Sequence, residues 1–178
     1  MISLSPIIVC RTEEAFAAYL LGLVSDERPV ILSIIKFILD QAKDAQIVAI
    51  PRYGKQAFAL GRAFKGRVKV PKRVVDASNL LAHATVFVGA GGTMSAEAAL
   101  LGVPTISCYP GKPYWVEKYL VKQGIVYRTT DAEEASKKVL DILDHQEHYG
   151  NLHRKIAQRV KSRMEDPLEV IVSNLKRL

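Results

Sequence analysis

The residues best suited to chemistry in this chain stand at the ends of its apolar runs. Val86-Phe87-Val88 leads into Gly89-Ala90-Gly91-Gly92-Thr93, a turn with few side chains where backbone N–H groups can approach a ligand. A helical pattern follows at once and points its positive end at the same spot. Two or three free donors plus that dipole can hold a phosphate without a charged side chain. The turn also has a purely conformational reading, because glycine is the default residue wherever φ must be positive. Cations close the other runs: Arg11 follows Ile7 to Cys10, Arg52 follows Ile47 to Ile50, Lys72 follows Val68 to Val70, and Lys112 comes soon after Cys108. Any one of them alone reads as a solvated loop residue. Four together with a glycine turn make the pattern of an anion site.

Glu97 lies four residues beyond Thr93, so on a helix the two share a face. A carboxylate there can accept from two hydroxyls, as the 2′,3′-diol of a ribose would offer. The competing reading is an acid favoured near a helix start by the dipole. A dinucleotide fingerprint is the weaker alternative. Gly89-Ala90-Gly91-Gly92-Thr93-Met94 matches the first two glycines of G-x-G-x-x-G, but Met94 stands where a small residue is needed for close helix–strand packing. The next run ends at Cys108-Tyr109 with no acid for a ribose, and the motif comes late in the chain.

The elements that must position these residues are legible as alternation. Five β-branched runs (7–10, 47–50, 68–70, 86–88 and 104–108) and a weaker sixth at 125–127 are nearly continuous in apolar residues, which suits strands buried on both faces. Helical patterns separate them. One opens at Pro29 and carries Ile31, Ile34, Ile35, Ile38 and Leu39 at helical spacing. Others run over 55–64, from a cap at Asp76, over 95–101 to a stop at Gly102, over 114–123 to Gly124, and from a cap at Asp131. The expected fold is α/β: a three-layer Rossmann-like domain with a parallel sheet of about six strands and helices on both faces. The whole chain, 1–178, reads as one domain. Residues 151–178 read as helices broken at Asp166-Pro167.

Bulk properties narrow the classes. The chain has 178 residues, 49% hydrophobic and 24% charged, with a formal charge of +7. That is globular composition with enough length for a sizeable core, and the charge suits phosphorylated ligands, nucleic acid or acidic lipid alike. Without a membrane-length apolar run or a signal peptide, the expectation is a cytoplasmic protein. Cys10 and Cys108 lie inside apolar runs and read as buried thiols. His83, His145, His148 and His153 lack the spacing of a zinc site, so no metal is expected. Tyr114 and Trp115 could stack on a sugar or base, although aromatics at a helix start more often pack inward.

The stretch from Asp76 to Pro110, DASNLLAHATVFVGAGGTMSAEAALLGVPTISCYP, resembles the donor-binding half of GT-B glycosyltransferases. It is similar to the peptidoglycan N-acetylglucosaminyltransferase, the UDP-N-acetylglucosamine 2-epimerases and a largely archaeal group related to both. The shared pattern is a strand, a Gly-Gly or Gly-Ala turn, a Glu five residues on, and a small-residue helix ending in Gly-x-Pro. The resemblance implies a nucleotide-sugar ligand, with Gly91, Gly92 and Thr93 on the diphosphate and Glu97 on the ribose. It also implies a place for Arg11 near the phosphates, and no cofactor.

Two departures limit what carries over. A GT-B protein needs two Rossmann-like halves, and this chain has room for one. The His- and Gln-rich sugar loop is replaced by Gly111-Lys112-Pro113-Tyr114-Trp115. The expectation is therefore a half-enzyme inactive alone: a piece of a longer protein, one subunit of a split enzyme, or a binding domain. The start at Met1 shortly before the first strand fits a domain cut. Residues 151–178 would then pack on an N-terminal acceptor half, in cis or as a partner subunit. From a different class, a basic module for nucleic acid or a membrane surface would use Arg154, Lys155, Arg159, Lys161 and Arg163, although a solvated helix face explains them better, since little aromatic interleaving offers bases a stacking surface.

Overall fold

The computed structural model describes residues 5–14 and 29–177. Its elements alternate as expected: β1 (Ile7–Arg11), α1 (Val30–Gln41), β2 (Gln46–Ile50), α2 (Gly54–Phe64), β3 (Val68–Lys69), α3 (Ala77–Ala82) and β4 (Val86–Gly89). Then come α4 (Thr93–Leu100), β5 (Thr105–Ser107), α5 (Trp115–Lys122), β6 (Val126–Arg128), α6 (Ala132–Asp144), α7 (Gln146–Lys161) and α8 (Pro167–Leu175). The six strands form one sheet in the order β3-β2-β1-β4-β5-β6, with every pair parallel.

Strand side chains alternate between two buried faces, as both-face burial requires. Ile8, Cys10, Val86, Val88 and Ile106 point toward α1, α2 and α6, where Ile31, Ile34, Ile35, Ile38, Leu60, Val139 and Ile142 complete the larger core. Val9 and Phe87 point the other way, against Leu81 of α3 and Ala98 of α4. Ala99, Leu120, Val126 and Val160 extend that second layer across α4, α5 and α7. The small residues of α4 are thus a packing requirement, letting this helix lie close to the sheet whose turn it follows. Cys10 and Cys108 are buried free thiols.

Local chemistry sets the ends. Asp76 accepts from the Asn79 N–H at 3.0 Å, and Asp131 accepts from the Glu134 N–H at 2.7 Å. Several boundaries differ from the sequence reading by a residue or two, and two of the differences have a local cause. Pro29 has extended backbone and caps α1 rather than forming its first turn. Helix α4 begins at Thr93 rather than Ser95, because Gly92 takes a backbone conformation that lets the strand turn directly into a helix. Among the described residues, no helix is long and apolar enough to cross a membrane.

Candidate functional site

The strand order reverses between β1 and β4, and in open α/β sheets ligands bind beyond the carboxyl ends of the strands at such a point. A cleft of about 770 Å³ lies there. It is lined by Arg11, Arg52, Lys72, Gly91, Gly92 and Glu97, with Thr93 between the last two. Seven of the eight residues singled out in the sequence therefore meet in one place. Lys112 does not: it is exposed and does not line the cleft.

The glycine turn is specific in geometry. Gly91 has φ +82° and Gly92 φ +92°. With ψ −175°, Gly92 occupies a region that is essentially closed to other residues. Gly92 caps α4 without a side-chain hydrogen bond, and with Thr93 and Met94 also lining the cleft, the positive end of the helix opens beside it. Glu97, one turn further along α4, is exposed and lines the same cleft.

Two guanidinium groups line the cleft. Arg52 Nε donates to the Thr12 carbonyl at 3.1 Å, and its Nη1 is 3.7 Å from Glu14 Oε2. Its Nη2 comes within 3.4 Å of where a Cβ on Gly92 would stand. Arg11 Nη1 donates to the Pro51 carbonyl at 3.1 Å. Burial lowers the pKa of Arg11, the neighbouring charge of Arg52 adds to the effect, and Glu14 opposes it. Arg11 nevertheless remains charged. Two cations held together by backbone carbonyls, partly out of water, create a site that an anion would relieve.

Sequence reasoning missed three participants. Tyr109 is buried under Gly91 and lines the cleft; its signal was its place directly after a strand, which the search for charge passed over in favour of Lys112. Glu14 also lines the cleft, beyond the apparent end of the first strand. Gln56 accepts from the Arg52 N–H at 2.9 Å and donates to the Glu13 carbonyl at 2.9 Å, tying the β1 and β2 ends together. Tyr114 lines the cleft too, its hydroxyl 3.1 Å from that of Tyr109. Trp115 does not pack inward: it is 85% exposed, with Lys118 Nζ 5.0 Å from its ring centre.

The basic tail residues Arg154, Lys155, Arg159, Lys161 and Arg163 are all exposed on α7 and just beyond it. Arg154 spends one donor on Asn151 at 2.9 Å. His145 pairs with Asp141 of α6 at 3.2 Å, and His153 is buried.

Comparison with known proteins gives this geometry a context. An uncharacterized protein of Methanocaldococcus jannaschii is 38% identical over 107 residues, 59% of this chain and 30% of that protein. Three solved structures share the fold at low identity. A spinosyn rhamnosyltransferase in complex with spinosyn aglycone matches 96% of this chain and 45% of its own, with a TM-score of 0.69 at 13% identity. A putative UDP-N-acetylglucosamine 2-epimerase from Listeria monocytogenes matches 88% of this chain and 40% of its own, with a TM-score of 0.63 at 19% identity. The C-terminal CMP-Kdo binding domain of WaaA from Acinetobacter baumannii matches 90% of this chain and 91% of its own, with a TM-score of 0.63 at 16% identity. The match thus spans less than half the length of the archaeal relative and of the two larger enzymes. With a family model matching residues 1–177, the chain belongs to the family described as protein of unknown function DUF354, and its fold is that of one half of a GT-B protein.

Proposed function

We propose that this chain binds a nucleotide-sugar as the donor half of a glycosyltransferase or sugar-nucleotide epimerase. The observation that carries the reading is the Gly91-Gly92 turn, which opens α4 into a cleft flanked by Arg11 and Arg52. Backbone amides at a helix start, with two guanidinium groups opposite, are suited to a diphosphate. Lys72 at the cleft rim adds long-range attraction. Glu97, one helical turn from Thr93, is the acceptor for a ribose diol. UDP is the first nucleotide to test, and CMP the second, because the related structures name ligands of both kinds. Cofactor and metal have no part in this reading.

Turnover would need a second half carrying the acceptor, supplied in cis or by a partner subunit. The apolar stripe of α8 supports this. Leu168, Ile171, Val172 and Leu175 recur at helical spacing and are all exposed, which leaves a face suited to further protein.

Thermal denaturation with millimolar UDP-, GDP-, TDP- and CMP-sugars tests the proposal. At a hundredfold excess over Kd, a bound ligand adds about 2.7 kcal/mol, a shift of several degrees for a domain of this size. The expected result is a higher Tm with UDP or UDP-N-acetylglucosamine, with the shift cut to about half or less in Glu97→Ala and lost in Gly92→Val. A flat response across the whole panel would overturn it.

A further inference from the structure

The glycine turn is backed by a loop whose shape is fixed from the neighbouring edge strand. Arg128, at the end of β6, directs one guanidinium nitrogen at two carbonyls of the β5–α5 loop: Nη2 donates to Tyr109 O at 2.9 Å and to Gly111 O at 2.8 Å. Its Nε is 3.8 Å from Glu117 Oε1, and the same Glu117 oxygen accepts from the Ser107 hydroxyl. The loop then curls around the Tyr109 ring. A Cβ on Gly111 would stand 2.8 Å from the Tyr109 hydroxyl oxygen, and the Tyr109 and Tyr114 rings lie 5.5 Å apart. On its other side the Tyr109 ring abuts Gly91, where a Cβ would meet it at 2.8 Å. A continuous path of contact thus runs from Arg128 to the turn.

As a stabilising device this pair is poorly made. Among the described residues, Arg128 Nε and Glu117 Oε2 are buried without a hydrogen-bond partner. A partly buried ion pair with unpaired polar atoms returns less stability than well-packed apolar side chains would. It does fix direction: with Nε beside the Glu117 carboxylate, the plane of the guanidinium is set so that Nη2 meets both carbonyls, and a lysine has no second nitrogen for the carboxylate to hold. We infer that Arg128 and Glu117 are positioning residues for the anion-binding turn, holding the Tyr109–Tyr114 loop so that Tyr109 sets the place of the Gly91 backbone. The effect on ligand rests on the nucleotide-sugar reading above; the mechanical link does not.

Both parts are tested on the 178-residue chain with Arg128→Lys and Glu117→Gln. Amide resonances of Gly91 and Gly92, recorded without ligand, report the turn, calorimetric titration with UDP reports binding, and thermal denaturation reports stability. The expected result is displaced Gly91 and Gly92 resonances in Arg128→Lys, a UDP affinity lowered about tenfold, and a Tm close to that of the parent. Folded variants with unmoved Gly91 and Gly92 resonances would overturn the inference, whether or not UDP binds. An affinity loss that merely tracks lost stability would also overturn it. Displaced resonances in the variants, with a parent that binds no UDP, would sustain the mechanical link and sink the nucleotide-sugar reading instead. If Arg128→Lys does not fold, Glu117→Gln carries the same test, since it keeps the side-chain shape and removes only the charge.

Discussion

The Tyr109 ring lies directly against Gly91: a Cβ on that glycine would stand 2.8 Å from ring Cδ2 and 2.9 Å from the tyrosine Cβ. Gly91 and Gly92 are therefore constrained differently, although both have positive φ. At Gly91 the left-handed backbone and the ring both exclude a side chain. At Gly92 the backbone conformation is the obstacle, for the nearest atom is the flexible end of Arg52 at 3.4 Å.

Gly91→Ala should lower stability by about 3 kcal/mol, combining the left-handed cost with overpacking. Gly92→Ala should cost about 1–3 kcal/mol from the backbone alone. Combined with Tyr109→Ala, which removes Cγ and the ring, Gly91→Ala should cost less than it does alone and Gly92→Ala should cost the same, since only the first pair is in contact. Urea denaturation of the singles and doubles checks this. Equal rescue of both would disprove the distinction.

The inner strands β1, β4 and β5 were legible because they are buried on both faces, so their apolar runs survive without help from distant residues. The convergence of Arg11, Arg52 and Lys72 followed from topology: parallel strands bring their carboxyl ends to one rim. The β5–α5 loop was not legible in the same way. Its path depends on Arg128, seventeen residues beyond Gly111, and that long-range tether puts Tyr109 rather than Lys112 at the cleft. The buried role of Glu13, which accepts from the Ile31 N–H at 2.8 Å, was hidden for the same reason. A carboxylate eighteen residues upstream supplies α1 with the partner that Pro29 cannot.

Arg52→Ala and Lys112→Ala should separate cleft from surface. Arg52 stands over Gly92 and holds the β1 end through Thr12, so its removal should weaken nucleotide binding by roughly 2 kcal/mol or more, at least about thirtyfold. Lys112→Ala should change affinity less than about twofold, as expected of a solvated charge. Titrations at two salt concentrations check both, and a large Lys112 effect would return that residue to the site.

Glu97 should act on the ribose and not on the fold. Because it is exposed on α4, Glu97→Ala should leave Tm nearly unchanged. A charge-assisted hydrogen bond is worth about 1.5–3 kcal/mol, so the variant should bind UDP about tenfold or more weakly. The parent should also prefer UDP to 2′-deoxy-UDP, and the variant should not. Retained discrimination in the variant would move the ribose contact elsewhere.

His153 should make the fold acid-sensitive. It is 8% exposed, between α7 and the rest of its layer. Burial, with the charge of Lys138 second, pushes its pKa down to about 4, whereas an unfolded histidine titrates near 6.5. The unfolded chain therefore takes up the proton first as pH falls. The associated stability is complete above about 6.5, declines below it, and is lost by about 4, amounting to at most about 3 kcal/mol. Urea midpoints at pH 7, 5.5 and 4 should fall accordingly, and His153→Leu should flatten that window. An unchanged slope in the variant would assign the acid sensitivity to other groups, such as Asp141, held down at about 2 by hydrogen bonds from Lys138 and Tyr149.

Helix α8 separates the stability of this chain from its association. None of its residues is buried, and Leu168 is 70% exposed, yet it is well started: Asp166 accepts from the Leu168 N–H at 2.7 Å and Pro167 occupies the first turn. A capped helix with one apolar stripe and no cover gains nothing from that stripe within this chain. Leu168→Lys with Leu175→Lys should therefore shift the stability of the 178-residue chain by no more than about 0.5 kcal/mol. In a longer protein where a second half covers α8, the same pair should cost about 2 kcal/mol or more, because two buried leucines would be replaced by charges. Denaturation of both lengths compares the two. A large loss already in the short chain would mean that the stripe is covered from within, and the assignment of α8 to a second half would fall.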